Sequence, residues 1–170
     1  LCRNLARYAH RYFCRVHRRH LCAPATSIFG KTCQMRLALI DTDILSLFFR
    51  GDPNVVTRIQ AYTSEHGQIN FSIITYYEIL SGLKHRDAQK QLDTFLRFAS
   101  ENNVIPLTEQ AATLSAEMYA STRASGTPVA DIDILIAGIA KANNWVLVTH
   151  NTKHFEKIKG PDIEDWSETQ

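Results

Sequence analysis

The sequence predicts a three-layer α/β/α fold built on a central, mainly parallel sheet. Two observations carry that expectation. Short apolar runs of strand length alternate along the chain with stretches whose apolar residues recur three and four positions apart. The 170 residues also suffice for one sizeable core, and are too few for two ordinary domains.

The first strand is the run Met35-Arg36-Leu37-Ala38-Leu39-Ile40, which ends on Asp41-Thr42-Asp43. A helix capped by Thr42 or Asp43 follows, with Ile44, Leu45, Leu47 and Phe48 on its inner face, and Gly51-Asp52-Pro53 stops it. Residues 54–65 read as a helix, 68–73 as the second strand, and 75–84 as a helix with Glu78 in or just after its first turn. An amphipathic helix over 87–99 buries Leu92, Phe95, Leu96 and Ala99. A short third strand over 104–107 precedes a helix over 108–124, whose expected core residues are Ala111, Leu114, Ala116 and Met118. Ser125-Gly126-Thr127-Pro128 interrupts the helical pattern, which resumes over 129–143. The run 145–149 is the last long strand and ends in His150-Asn151, before a short helix around Phe155 and a closing segment over 162–166. Trp145, Trp166 and the phenylalanines read as packing residues and not as base-stacking platforms.

The composition, 45% hydrophobic and 21% charged, is that of a globular protein, and no stretch reaches the roughly 20 apolar residues that span a bilayer. The net charge of +2 conceals a division. Residues 1–34 hold seven Arg or Lys and no acid, whereas residues 35–170 hold twelve against all 17 acids, a balance near −5. Such a body does not attract phosphate in bulk and favours a carboxylate cluster that works with cations. All four cysteines lie in the leading segment, and a cysteine-free body suits the reducing cytoplasm.

In open α/β sheets the functional crevice lies beyond the carboxyl ends of the strands. Asp41 follows the first strand, the stretch from Ser72 to Glu78 follows the second, and Asn151 follows the last. Asp133 opens a helix that continues Ile134-Leu135-Ile136-Ala137-Gly138-Ile139-Ala140, apolar all round and therefore buried. Gathered carboxylates repel one another unless a cation neutralises them, and hard oxygen donors select Mg²⁺ or Mn²⁺. Such an ion polarises a phosphoryl group and activates water.

Each residue also has an ordinary reading. Asp41 and Thr42 suit a helix cap, Glu78 a solvated helix acid, Asp133 a first-turn acid worth about 0.3–1 kcal/mol against the helix dipole, and Asn151 a turn. His150 and His154, beside a strand end, read as surface or supporting residues. It is the combination that points to chemistry.

Leu39-Ile40-Asp41-Thr42-Asp43-Ile44-Leu45 resembles the opening motif of PIN domains, in which an acid is followed by Thr and then Asn or Asp. Ser72-Ile73-Ile74-Thr75-Tyr76-Tyr77-Glu78-Ile79-Leu80-Ser81-Gly82 is similar to the second motif, and Asp133-Ile134-Leu135-Ile136-Ala137 to the third. The stretch Leu147-Val148-Thr149-His150-Asn151-Thr152-Lys153-His154-Phe155, running on to Glu164-Asp165-Trp166, resembles the ending of VapC toxins. The resemblance spans Met35 to about Ser167. It implies a PIN-like fold and a magnesium-dependent endoribonuclease, with Mn²⁺ as a substitute, held in check by a VapB-like antitoxin. Structured RNA such as transfer RNA is its usual substrate, and a homodimer or a higher assembly with the antitoxin its usual state. Asp41, Glu78 and Asp133 carry the metal and catalysis in this reading, while Thr42, Asp43, Thr75 and Asn151 orient substrate or water. Many relatives have an acid where this chain has Asn151, so that position orients more than it supplies charge. A metal-dependent phosphatase or other small-molecule hydrolase, and an inactive module that only binds antitoxin or RNA, are the rival readings.

In the leading segment Leu1, Leu5, Tyr8, Tyr12 and Val16 fall at helical spacing, as do Arg3, Arg7, Arg11 and Arg15. That pattern suits a transit peptide or a membrane-surface helix, and His10, Cys14, His17, His20 and Cys22 have spacings that could hold zinc. The preferred expectation is plainer: translated upstream or cloning-derived sequence outside the fold, with the nuclease domain over 35–170.

Overall fold

The computed structural model describes residues 35–168. The leading basic and Cys/His patterns lie outside the described residues. Among the described residues five strands form one sheet in the order β3-β2-β1-β4-β5, and every neighbouring pair is parallel. The strands are β1 (Ala38–Ile40), β2 (Asn70–Ser72), β3 (Asn103–Ile105), β4 (Val146–Val148) and β5 (Ile163–Glu164). The helices are α1 (Thr42–Arg50), α2 (Pro53–His66), α3 (Ile73–His85), α4 (Gln89–Ser100), α5 (Glu109–Ala124), α6 (Asp131–Ala142) and α7 (Thr152–Phe155). No helix among the described residues is long and apolar enough to cross a membrane.

The expected three layers follow from the two-residue period of the strands. Ala38, Ile40, Val146 and Val148 point to one face and pack with Phe48 and Phe49 of α1, Ile59 and Tyr62 of α2, and Phe95 and Phe98 of α4. Leu39 and Leu147 point to the other face, against Ala111 and Met118 of α5, Ile136 and Ile139 of α6, and Phe155 of α7. Trp166 is buried in the first core, 5.6 Å from Tyr62 between ring centres, and Trp145 packs on the edge of the second. The two aromatic readings therefore hold.

Several boundaries and core positions differ from expectation for local reasons. Asp41, one residue earlier than expected, caps α1: its side chain accepts from Thr42 N, and Gly51 closes the helix in the left-handed conformation. Ser72 caps α3 and starts it at Ile73. Asp87 adopts φ +49°, so it belongs to the turn before α4. On α4 the inward face is Phe95, Phe98 and Ala99, leaving Leu96 exposed. On α5 Ser115 is buried and Ala116 exposed, because α5 and α6 approach closely at Gly138, where a side chain would meet Ser115 Oγ at 2.0 Å and the Ala111 carbonyl at 2.7 Å. Ser115 instead places its hydroxyl in the gap and donates to the Ala111 carbonyl at 2.8 Å.

The chain runs from β1 outward to β2 and β3, then returns to lay β4 and β5 on the opposite side of β1. The order thus reverses between β1 and β4, whose carboxyl ends are adjacent. Asp41 follows one and Thr149 the other.

Candidate active site

Asp41 is buried, with 6% of its surface exposed. Its Oδ1 accepts from Thr42 N at 2.7 Å and its Oδ2 from the Thr149 hydroxyl at 2.9 Å. The backbone bond from Asp41 N to the Val148 carbonyl, 2.9 Å, locks the acid to the end of β4. Burial first, and the neighbouring charge of Asp43 second, push its carboxyl up to about 7, with Asp133 adding to the repulsion.

Asp43 is raised as well, chiefly by burial, against the opposing pull of backbone amides. Its Oδ1 accepts from Ile44 N at 2.6 Å, and its Oδ2 from the Thr149 hydroxyl at 3.2 Å and His150 N at 3.0 Å. It therefore straps the loop after β4 to the first turn of α1. Thr42 points elsewhere, donating from Oγ1 to Glu78 Oε2 at 2.5 Å. That bond ties the acid of α3 to the residue next to Asp41.

On the far side, Asn151 donates its backbone N–H to the Thr149 hydroxyl at 3.1 Å, and its side-chain Nδ2 lies 2.8 Å from His154 Nδ1. The same ring nitrogen is 3.2 Å from Asp133 Oδ2. A chain of contacts thus runs from Glu78 through Thr42 and Asp41 to Thr149, Asn151, His154 and Asp133, at the reversal point of the sheet. It joins six of the seven residues singled out in the sequence, counting Asp43 at its branch. Thr75 is engaged differently: it is buried at the N-terminus of α3, where Ser72 Oγ donates to its hydroxyl at 3.0 Å and accepts from its N–H at 2.9 Å.

Thr149 and His154 were not singled out as site residues. Thr149 closes a β-branched strand run, and the cue for it is the one that marks Asp41, a polar residue directly after the last strand residue. Nothing local in the sequence links His154 to Asp133, which lies 21 positions away.

The PIN domain family matches residues 38–161, a span that contains every member of this network. The chain belongs to the PIN-domain family. Among relatives of this PIN domain, the "tRNA(fMet)-specific endonuclease VapC" of Shigella flexneri is 29% identical over 130 residues, covering 76% of this chain and 97% of that protein. The protein of the same description from Salmonella typhimurium is 30% identical over 129 residues, covering 75% and 96%. A crystal structure of DNA-bound VapBC from Salmonella typhimurium superimposes with a TM-score of 0.69 at 31% identity, over 78% of this chain and 99% of that one. The PIN domain is thus of the VapC type.

PIN-domain nucleases are in general divalent-metal dependent. No three acids, histidines or cysteines among the described residues stand close enough to form a ready metal-binding group. The donor chemistry nevertheless fits such an ion. The donors are carboxylate oxygens, and the Asp41 carboxyl is raised first by burial and then by the negative charges of Asp43 and Asp133, whose repulsion a cation would relieve.

Proposed function

We propose that this PIN domain is the endoribonuclease toxin of a VapBC-type pair, with Asp41, Glu78 and Asp133 as its metal-bearing and catalytic carboxylates. The observation that carries the reading is the network that holds these three acids around the reversal point between β1 and β4, one of them buried and resisting ionisation. A resting protein gains little from burying a carboxylate among other acids. A site that must hold a cation against a phosphodiester gains directly.

The side chains divide the work. Asp41, Glu78 and Asp133 would hold Mg²⁺, with Mn²⁺ as a substitute. When bound, the ion supplies Lewis acidity toward the phosphoryl oxygens and lowers the pKa of water. Thr42 orients Glu78 through its hydroxyl, Asp43 fixes the loop carrying Thr149 and His150, and Asn151 and Asp133 both face the Nδ1 of His154. Attack by water and not by a ribose hydroxyl leaves a 3′-hydroxyl and a 5′-phosphate. The substrate is RNA, with transfer RNA the first choice, since two relatives bear the description "tRNA(fMet)-specific endonuclease VapC".

The proposed partner is a VapB-like antitoxin that places an Arg or Lys against the acidic crevice, within a homodimer or a higher assembly. The reading includes a cytoplasmic location, where transfer RNA is met, and a domain that begins near Met35 with residues 1–34 outside it.

Incubating the purified protein with total RNA, with Mg²⁺ or Mn²⁺ and with excess EDTA, and mapping the new 5′ ends tests the reading. Discrete cleavage that EDTA abolishes is expected. Undiminished cleavage in chelator would overturn the metal mechanism, and folded protein that cuts no RNA with either ion would overturn the nuclease.

A further inference from the structure

Thr149 is fully buried, yet its hydroxyl faces two carboxylates. A threonine hydroxyl has one proton to give and lone pairs to accept with. Here the acceptor side is engaged by Asn151 N–H at 3.1 Å, while the donor side meets Asp41 Oδ2 at 2.9 Å and Asp43 Oδ2 at 3.2 Å. The residue itself is pinned. Its N–H donates to the Glu164 carbonyl of β5 at 3.0 Å, the preceding Val148 carbonyl accepts from Asp41 N, and its β-branched side chain has few rotamers.

If Thr149 only satisfied the Asn151 amide, its proton could point anywhere. It is aimed instead at the pair of acids flanking Thr42. Asp43 is further occupied by Ile44 N and His150 N, which leaves it a strap, whereas Asp41 takes one donor on each oxygen. Those two bonds fix the rotation of the Asp41 carboxyl group and so decide which lone pairs face the crevice.

We infer that Thr149 is a positioning residue of the active site, whose buried hydroxyl sets the Asp41 carboxylate in its ligating orientation. This rests on the proposed role of Asp41 in holding a divalent ion. Losing an outer partner of a ligating carboxylate typically costs about 10–100-fold in metal affinity or activity.

The test compares Thr149→Val, of similar shape without a hydroxyl, with Thr149→Ser, which keeps the hydroxyl and loses a methyl. Mn²⁺ affinity is measured on RNA-free protein by electron paramagnetic resonance, and kcat and KM by RNA cleavage, with folding checked by circular dichroism. The Val variant should lose about 10–100-fold in Mn²⁺ affinity and kcat with little change in KM, and the Ser variant should recover most of both. If Val fails to fold, Thr149→Ala serves as the hydroxyl-free variant under the same criteria. A folded hydroxyl-free variant with wild-type Mn²⁺ affinity and kcat would overturn the inference, as would a Ser variant as impaired as Val, which would make Thr149 a packing residue. Wild-type protein that neither binds Mn²⁺ nor cuts RNA would instead overturn the reading on which the inference rests.

Discussion

His154 Nδ1 lies 3.2 Å from Asp133 Oδ2, so the acid in the first turn of α6 faces α7, while Asp131, two residues earlier, stays exposed to solvent. The side chain of Asp133 is 19% exposed although it lies in the first turn of α6, two residues from the exposed Asp131. A 3.6-residue repeat turns the two acids about 200° apart, and in the fold it is Asp133 that meets His154 of α7.

Asp133→Asn is therefore expected to lower RNA cleavage by at least about 100-fold, beyond the usual cost of losing an outer-sphere partner, with the fold intact. Asp131→Asn should keep most of the activity. Circular dichroism and initial rates on the two variants check this, and inactivity of a folded Asp131 variant alone would place the ligand on the other helical face.

Asp41 links the site to stability. Its carboxyl is raised from 3.8 to about 7, so between those pH values the unfolded chain releases a proton that the folded chain retains. Metal-free stability should accordingly fall as pH rises through that window, by on the order of 4 kcal/mol in total. Asp41→Asn removes the titration. In EDTA at pH 8 the variant should be more stable than the wild type in urea melts, the advantage should vanish near pH 4, and Mg²⁺ should stabilise the wild type more than the variant.

The His150 ring, 2.9 Å from Asp165 Oδ2, gives a pH window of its own. His150 is raised above 6.5 chiefly by its bond to Asp165, and Asp165 falls below 3.8 because hydrogen bonds from Ser167 and His150 outweigh its burial. The histidine contribution is complete below 6.5 and fades as pH rises through its folded value. The aspartate contribution is complete above 3.8 and fades as pH falls through its folded value. Exposure limits the pair to about 0.2–1 kcal/mol. Asp165→Asn should therefore destabilise the protein at pH 5.5 and have almost no pair-related effect at pH 8.5, as read by urea denaturation at both values.

Gly138→Ala tests the close crossing of α5 and α6. The new methyl would stand 2.0 Å from Ser115 Oγ and 2.7 Å from the Ala111 carbonyl, and the second neighbour is backbone that cannot rotate away. A loss of about 1–3 kcal/mol is expected by thermal or urea melting. Adding Ser115→Ala should recover only part of it.

Beginning the protein at Met35 is expected to preserve fold and cleavage, since the match to the PIN domain family begins at residue 38 and the described residues supply both faces of the sheet with a packed core. Non-specific RNA binding should weaken as seven cationic side chains are removed, with a shallower dependence on salt. Failure of the shortened protein to fold, judged by circular dichroism, would move the domain boundary upstream.

The sequence by itself determined the layer architecture, because strand and helix periodicities are local and each short apolar run is followed by a helical pattern. It also singled out Asp41, Glu78, Asp133 and Asn151 as candidates, since a strand end or the mouth of an apolar helix is recognisable without its partners. What the tertiary structure alone decided is how these residues meet. Asp41 and Thr149 lie 108 positions apart, and their contact exists only because β1 and β4 are neighbours at the reversal of strand order. The inward turn of Phe98 over Leu96, and of Ser115 over Ala116, likewise depends on how α4 meets the sheet and how nearly α6 approaches α5. A sequence pattern gives a helix its apolar stripe; the packing partner settles which edge of that stripe is buried.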